Sequence, residues 1–184
     1  MPRRAVYDNF QNIVRISIRR CDVSFKPSYL AHVNLRVRNV ELSQKWYTDV
    51  LGLYTYEYRP GRAAFMSANR DLSHEIALMQ IDEDSIHLEP GQIGLNHMAW
   101  MMESLDDLSE FYLRIKNRGI AIERIVDHGI SLGIYLRDPD GHGIEVTYEL
   151  PRSQWPRQDQ VFEGYGIKKG LFPGPWDTEL AKVH

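Results

Sequence analysis

The chain has 184 residues, 43% hydrophobic and 26% charged, enough for one domain with an extension and unlike a disordered or collagen-like polypeptide. A net charge of -3 gives no general reason to bind nucleic acid, and no apolar run approaches the ~20 residues of a membrane helix. Cys21 is the only cysteine, which excludes an internal disulfide and a CxxC metal knuckle and fits a reducing cytoplasm.

Residues 1–28 are weakly patterned; Met1-Pro2-Arg3-Arg4 is basic, but no apolar stretch comes after it to make a secretory signal. Within this extension Val14–Arg19 alternates like a short strand. From His32 the alternation His-Val-Asn-Leu-Arg-Val predicts a strand. Val40, Trp46, Tyr47 and Val50 have helical spacing over 40–51, and Gly52 stands where a helix stops. Strands are expected at Leu53–Tyr58, Ala63–Ser67 and His74–Met79, with turns at Pro60-Gly61 and Asn69–Asp71. Ile81–Gly94 is polar and reads as a linker.

The order then repeats. Strands are expected at Leu95–Met101, Ala121–Val126, Gly133–Arg137 and Gly143–Tyr148, with a helix at Leu105–Asn117. An offset of 65 carries His32 onto His97 and Trp46-Tyr47 onto Phe111-Tyr112. Each half reads β-α-β-β-β, an α+β arrangement with modules at 29–80 and 95–150. Beyond Glu149 the prolines 151, 156, 173 and 175 interrupt regular structure, so 151–184 is expected to be an irregular arm packed on this domain or on another subunit.

Three residues stand out at strand positions: His32, His97 and Glu145. Two imidazoles and one carboxylate can hold Fe(II) on one face and leave the other positions open; the set also suits Mn(II) or another divalent metal. The competing reading makes each histidine a core residue and turns Glu145 to solvent. His74, His128 and Tyr135 form a second layer. His74, at the start of its strand, is expected as the pseudo-symmetric counterpart of Glu145. Tyr135 lies ten residues before Glu145, across the Asp138-Pro-Asp-Gly141 turn, where its hydroxyl can reach the same cavity. For His128 the plain alternative is a loop histidine, and for Tyr135 an edge residue. His87, His142 and His184 are expected in solvent.

Residues from Leu30 to Glu149 resemble the vicinal oxygen chelate superfamily. The resemblance is carried by His32-Val-Asn-Leu, Trp46-Tyr-Thr-Asp-Val-Leu-Gly-Leu53, Leu95-Asn-His97 and Tyr135-Leu-Arg-Asp-Pro-Asp-Gly141 followed by Glu145. It implies two modules forming an incomplete barrel around one metal. Within the superfamily, glyoxalases place Glu where His74 stands and epimerases place Gln. Extradiol dioxygenases keep two His and one Glu on the metal and a non-ligating acid–base His nearby. His74, His128 and Tyr135 match this last branch, in its one-domain form. The implied activity is Fe(II)-dependent opening of a catechol-type ring beside its vicinal hydroxyls with O2; a one-domain chain with an aromatic tail is expected to self-associate, and the single cysteine to go with the cytoplasm. The alternatives are a glyoxalase-like lyase, an epimerase, or a metal-free binder of an aromatic ligand. Trp100, Met98 and the aromatic arm can line a bulky apolar pocket suited to a bicyclic or larger catechol, or be core or subunit contacts, and the second is the plainer expectation.

Overall fold

A computed structural model describes residues 26–86 and 91–155. The chain divides into two units, Met1–Leu30 and Ala31–His184, and every strand and helix among the described residues belongs to the second. The expected strand at 14–19, His87, His184 and most of the C-terminal arm lie outside the described residues.

Strand β1 (Val33–Val37) buries Leu35 and Val37 and exposes Asn34 and Arg36, as its alternation requires. Helix α1 (Val40–Trp46) starts where the Asn39 side chain accepts from the Leu42 amide at 2.9 Å. It widens into a π-helical turn over Tyr47–Leu51 and ends at Gly52, whose φ of 76° is left-handed. The predicted helix was therefore right in extent but not uniform in pitch. Strands β2 (Tyr54–Arg59), β3 (Ala63–Ser67) and β4 (Ile76–Gln80) complete a sheet ordered β1-β4-β3-β2, with β1 and β4 parallel.

The second module repeats this order. It contains β5 (Met98–Met101), α2 (Leu105–Asn117), β6 (Arg124–Asp127), β7 (Ser131–Arg137) and β8 (Gly143–Glu149). Its sheet is ordered β5-β8-β7-β6, with β5 and β8 parallel. Ser104 caps α2 by accepting from the Asp107 amide at 3.1 Å. The fold is thus α+β: two β-α-β-β-β modules whose sheets remain separate, an incomplete barrel. His32, His74 and His97 each fall just outside the strand predicted to contain it. The β5–β8 ladder begins at Met98–Ile144, and just before it Gly143 backs onto the Asn96 carbonyl, where a side chain would not fit.

One face of each sheet packs into a shared core that includes Leu35, Val37, Tyr47, Phe111, Ile115, Ile134 and Val146. Met98 and Trp100 join this core, so the plainer expectation for both holds. The modules are also joined through the β7–β8 turn. Asp138 accepts from the Tyr47 hydroxyl at 3.0 Å and from the His142 amide at 2.8 Å. Asp140 accepts from Arg38 Nε at 2.8 Å and from the Ser43 hydroxyl at 3.2 Å. His142 is consequently not a solvent-exposed turn residue: its Nδ1 lies 2.8 Å from Asp138, and only 13% of its side chain is accessible. The Asp-Pro-Asp-Gly segment is a clamp onto the first module. It holds the hairpin that carries Tyr135 and Glu145. Burial and the Asp138 carboxylate beside it push the Tyr47 phenol far above its ordinary range.

Candidate metal and catalytic site

The face of the second sheet opposite the core carries two of the candidate residues, Tyr135 and Glu145. Ladder pairing puts Arg124 beside Tyr135, Tyr135 beside Glu145 and Glu145 beside Ala99, in one row across four strands. Alternation keeps all of these on one face, while Ile134 and Val146 turn to the core. His97 immediately precedes β5, diagonal to Glu145. Its Nε2 lies 3.0 Å from Glu145 Oε2, and Glu145 is 8% exposed. The alternative that turned Glu145 to solvent is thereby excluded.

Two local features hold this pair. The His97 Nδ1–H donates to Asn96 Oδ1 at 2.6 Å, since a carboxamide oxygen can only accept. That leaves Nε2 of the neutral ring as a lone pair facing a carboxylate oxygen. Two acceptors 3.0 Å apart call for a cation shared between them, a proton or a metal ion. Ligands about 2.1 Å from one ion and at right angles to each other are separated by about 3 Å, so the donor set fits a metal. The second feature is Gly133, directly under the carboxylate. A Cβ there would overlap Glu145 Oε1 and stand 3.1 Å from both Glu145 Cδ and Tyr135 Cε2. Sequence reading missed Asn96 and Gly133. The Leu-Asn-His segment was visible, but the carboxamide contact was not.

Tyr135 is 4% exposed and its hydroxyl lies 2.9 Å from His128 Nε2. Its ring meets the His97 ring edge-on, with centroids 5.3 Å apart. His97, Glu145, Tyr135 and His128 therefore form one connected cluster. His128 is a partnered residue rather than a free loop histidine.

His32 and His74 come together on the first module, with ring centroids 4.5 Å apart and Phe65 edge-on to His74 at 5.4 Å. His74 Nδ1 also lies 3.1 Å from the Ser73 hydroxyl. Among the described residues no three His, Cys, Asp or Glu side chains stand together as a metal-binding group. His32 thus faces His74, while His97 and Glu145 form a separate pair.

Register corrects the expected partner of Glu145. Glu145 pairs with Ala99 as Ala77 pairs with Asn34, and Ala99 and Asn34 are equivalent residues of β5 and β1. The counterpart of Glu145 is therefore Ala77, 2% exposed and without a donor atom; His74 lies three residues earlier, in the loop before β4. By the same register Phe65 is the counterpart of Tyr135.

The chain belongs to the Glyoxalase/Bleomycin resistance protein/Dioxygenase superfamily, whose family model matches residues 29–146. Among its relatives, Biphenyl-2,3-diol 1,2-dioxygenase 3 of Rhodococcus globerulus is 31% identical over 121 residues, 65% of this chain and 63% of that protein. Catechol-2,3-dioxygenase of Bacillus subtilis is 30% identical over 131 residues, 71% of this chain and 45% of that one. This chain thus spans less than two thirds of the length of either dioxygenase. A lactoylglutathione lyase of Neisseria meningitidis is 30% identical over 124 residues, 63% of this chain and 87% of the lyase. The fold matches the crystal structure of a glyoxylase/bleomycin resistance protein/dioxygenase domain from Frankia sp. EAN1pec at a TM-score of 0.58 and 22% identity. That match covers 67% of this chain and 93% of the other. No helix among the described residues is long and apolar enough to cross a membrane.

Proposed function

We propose that this protein is an Fe(II)-dependent extradiol dioxygenase that opens a catechol-type ring beside its two hydroxyls, using O2. The domain responsible is residues 29–150, flanked by an N-terminal extension, 1–28, and a C-terminal arm, 151–184. The observation that carries the reading is the pairing of Glu145 with His97 beside Tyr135, with donor-free Ala77 at the mirror position.

His97, Glu145 and His32 are the residues that would hold the iron. His32 is exposed and its contact is with the His74 ring, so no core packing fixes its ring where it stands. Fe(II) held there would supply a Lewis-acidic, redox-active centre for the reaction of a catechol with O2. Ala77, at the position that mirrors Glu145, has no donor atom, so β4 would add no fourth protein ligand.

The remaining residues orient the substrate and move protons. Tyr135 donates its hydroxyl hydrogen to the deprotonated ring oxygen, and its partner His128 fixes the direction of the phenolic O–H. His74 is the acid–base residue: an imidazole can take a proton from the catechol as it binds and give one back as the ring opens. The Phe65 ring stands edge-on to His74 and helps to set the orientation of the imidazole.

A lyase reading is favoured by the 30% identity to lactoylglutathione lyase. It is disfavoured by Ala77, which leaves no carboxylate on β4 to match Glu145. The two separate in one experiment. The protein is loaded anaerobically with Fe(II), then given catechols and, separately, the hemithioacetal of a 2-oxoaldehyde and glutathione. Catechol-dependent O2 uptake with a yellow ring-opened product supports the dioxygenase. Turnover of the hemithioacetal without O2 uptake refutes it.

A further inference from the structure

We propose that Arg124 reads an anionic substituent on the substrate ring, so that the preferred substrate is a catechol bearing a carboxylate. The inference deepens the ring-opening reading and rests on it for the catechol part. Arg124 ends the Arg124–Tyr135–Glu145 row of the second sheet, on the face that carries Glu145. Its guanidinium carbon lies 4.1 Å from the centre of the Tyr135 ring. The positive group therefore spreads over the phenol whose hydroxyl is assigned to the substrate.

Its electrostatic situation sets it apart from the other half-buried arginines among the described residues. Arg38 and Arg114, the other half-buried arginines among the described residues, each have an acid partner, Asp140 and Glu110. Arg59 and Arg137 are exposed and paired with Glu57 and Glu123. Arg124 is half-buried, and among the described residues no carboxylate lies within ion-pair distance of it. Partial burial weakens its hydration, and the aromatic face replaces only part of that loss. A planar guanidinium in this state matches a carboxylate through two parallel hydrogen bonds.

The duplication supports the assignment. In the first sheet the mirror row is Glu57–Phe65–Ala77, where the second has Arg124–Tyr135–Glu145. Glu57 is already neutralised by Arg59 at 2.7 Å. The second row differs at all three positions. Ala77 is matched by a proposed metal ligand, Phe65 by a hydroxyl donor, and a satisfied carboxylate by a cation with no acid partner among the described residues. The strands are about 4.8 Å apart, so Arg124 lies beyond Tyr135 as seen from Glu145. A substrate anchored at Glu145 by its hydroxyls would present substituents on its far edge to this guanidinium.

The test is anaerobic calorimetric titration of the full-length, iron-loaded protein with 3,4-dihydroxybenzoate and with its methyl ester. The two catechols differ in charge, and the ester withdraws more electron density, which makes its hydroxyls more acidic and by itself favours the ester, so a preference for the acid reports the charge. Wild type should bind the acid roughly 10- to 100-fold more tightly, as for a lost hydrogen bond to a charged group. High salt should reduce that preference, Arg124→Lys should keep part of it and Arg124→Gln should remove it. Equal binding of acid and ester by wild type, no binding of the acid, or an undiminished preference in Arg124→Gln would overturn the proposal. The wild-type comparison needs no variant to fold. O2 uptake with the ester, measured on the same sample, tests ring opening independently. Uptake without acid preference sinks the Arg124 assignment alone, and acid preference without uptake of O2 by either catechol sinks the dioxygenase reading alone.

Discussion

Replacing Gly133 by alanine adds one methyl group under the proposed metal ligand. The new Cβ would overlap Glu145 Oε1 and press on Glu145 Cδ and Tyr135 Cε2, each at 3.1 Å. Unstrained carbon contacts lie near 3.5–4.0 Å, so the carboxylate must move by about 1 Å. The backbone at 133 is not left-handed, so alanine fits the β7 strand itself. The obstacle is the end of a side chain that can rotate away. The fold should therefore survive, at a cost of about 1–3 kcal/mol for overpacking. The site should not, because rotating Glu145 separates it from His97. Iron affinity should fall about 10- to 100-fold, and turnover about 10²-fold for a displacement near 1 Å. Metal titration, ring-opening assays and thermal unfolding measure the three quantities. Gly143→Ala is the contrast. There the added Cβ meets the Asn96 backbone carbonyl, which cannot swing aside, so stability should suffer first. Full iron content and full activity in a folded Gly133→Ala would refute the argument that Glu145 ligates from this position.

Asn96→Ala should weaken iron binding about tenfold or more by releasing His97 Nδ1–H, with Asn96→Asp restoring it; chelator competition on the folded variants would show this. Tyr135→Phe should lower kcat/KM for catechol about tenfold or more without changing iron content, and an unchanged value would leave Tyr135 a packing residue. His74→Gln should keep the iron and slow turnover about 10²–10⁴-fold, and a proportional loss of iron would make His74 a ligand instead. Tyr47→Phe should cost about 1.5–3 kcal/mol of stability near neutral pH through its lost bond to Asp138. Because the folded protein holds the Tyr47 proton well above the ordinary value of 10.0, the unfolded chain binds fewer protons beyond that pH. Wild-type stability should then fall by up to about 1.36 kcal/mol per pH unit more steeply than that of Tyr47→Phe, as denaturant titrations between about pH 9 and 11 would record.

Local signals in the chain were enough to determine the elements and their duplication. Alternation marks β1 and β8, helical spacing marks α2, and the offset of 65 makes His32 and His97 equivalent. The same signals placed Tyr135 across a hairpin from Glu145, because a short turn leaves little freedom of register. Only the tertiary structure decided what faces what. The loop before β4 is longer than the Asp-Pro-Asp-Gly turn before β8, so the offset changes along the repeat and Ala77, not His74, mirrors Glu145. His142 looked like a turn residue in water because its partner Asp138 is also bonded to Tyr47, 91 positions away. Gly133 under the carboxylate and Arg124 over the Tyr135 ring carry no local sequence signal. Their meaning depends on ladder hydrogen bonds and close packing between strands, which pair residues by distance in space rather than by distance along the chain.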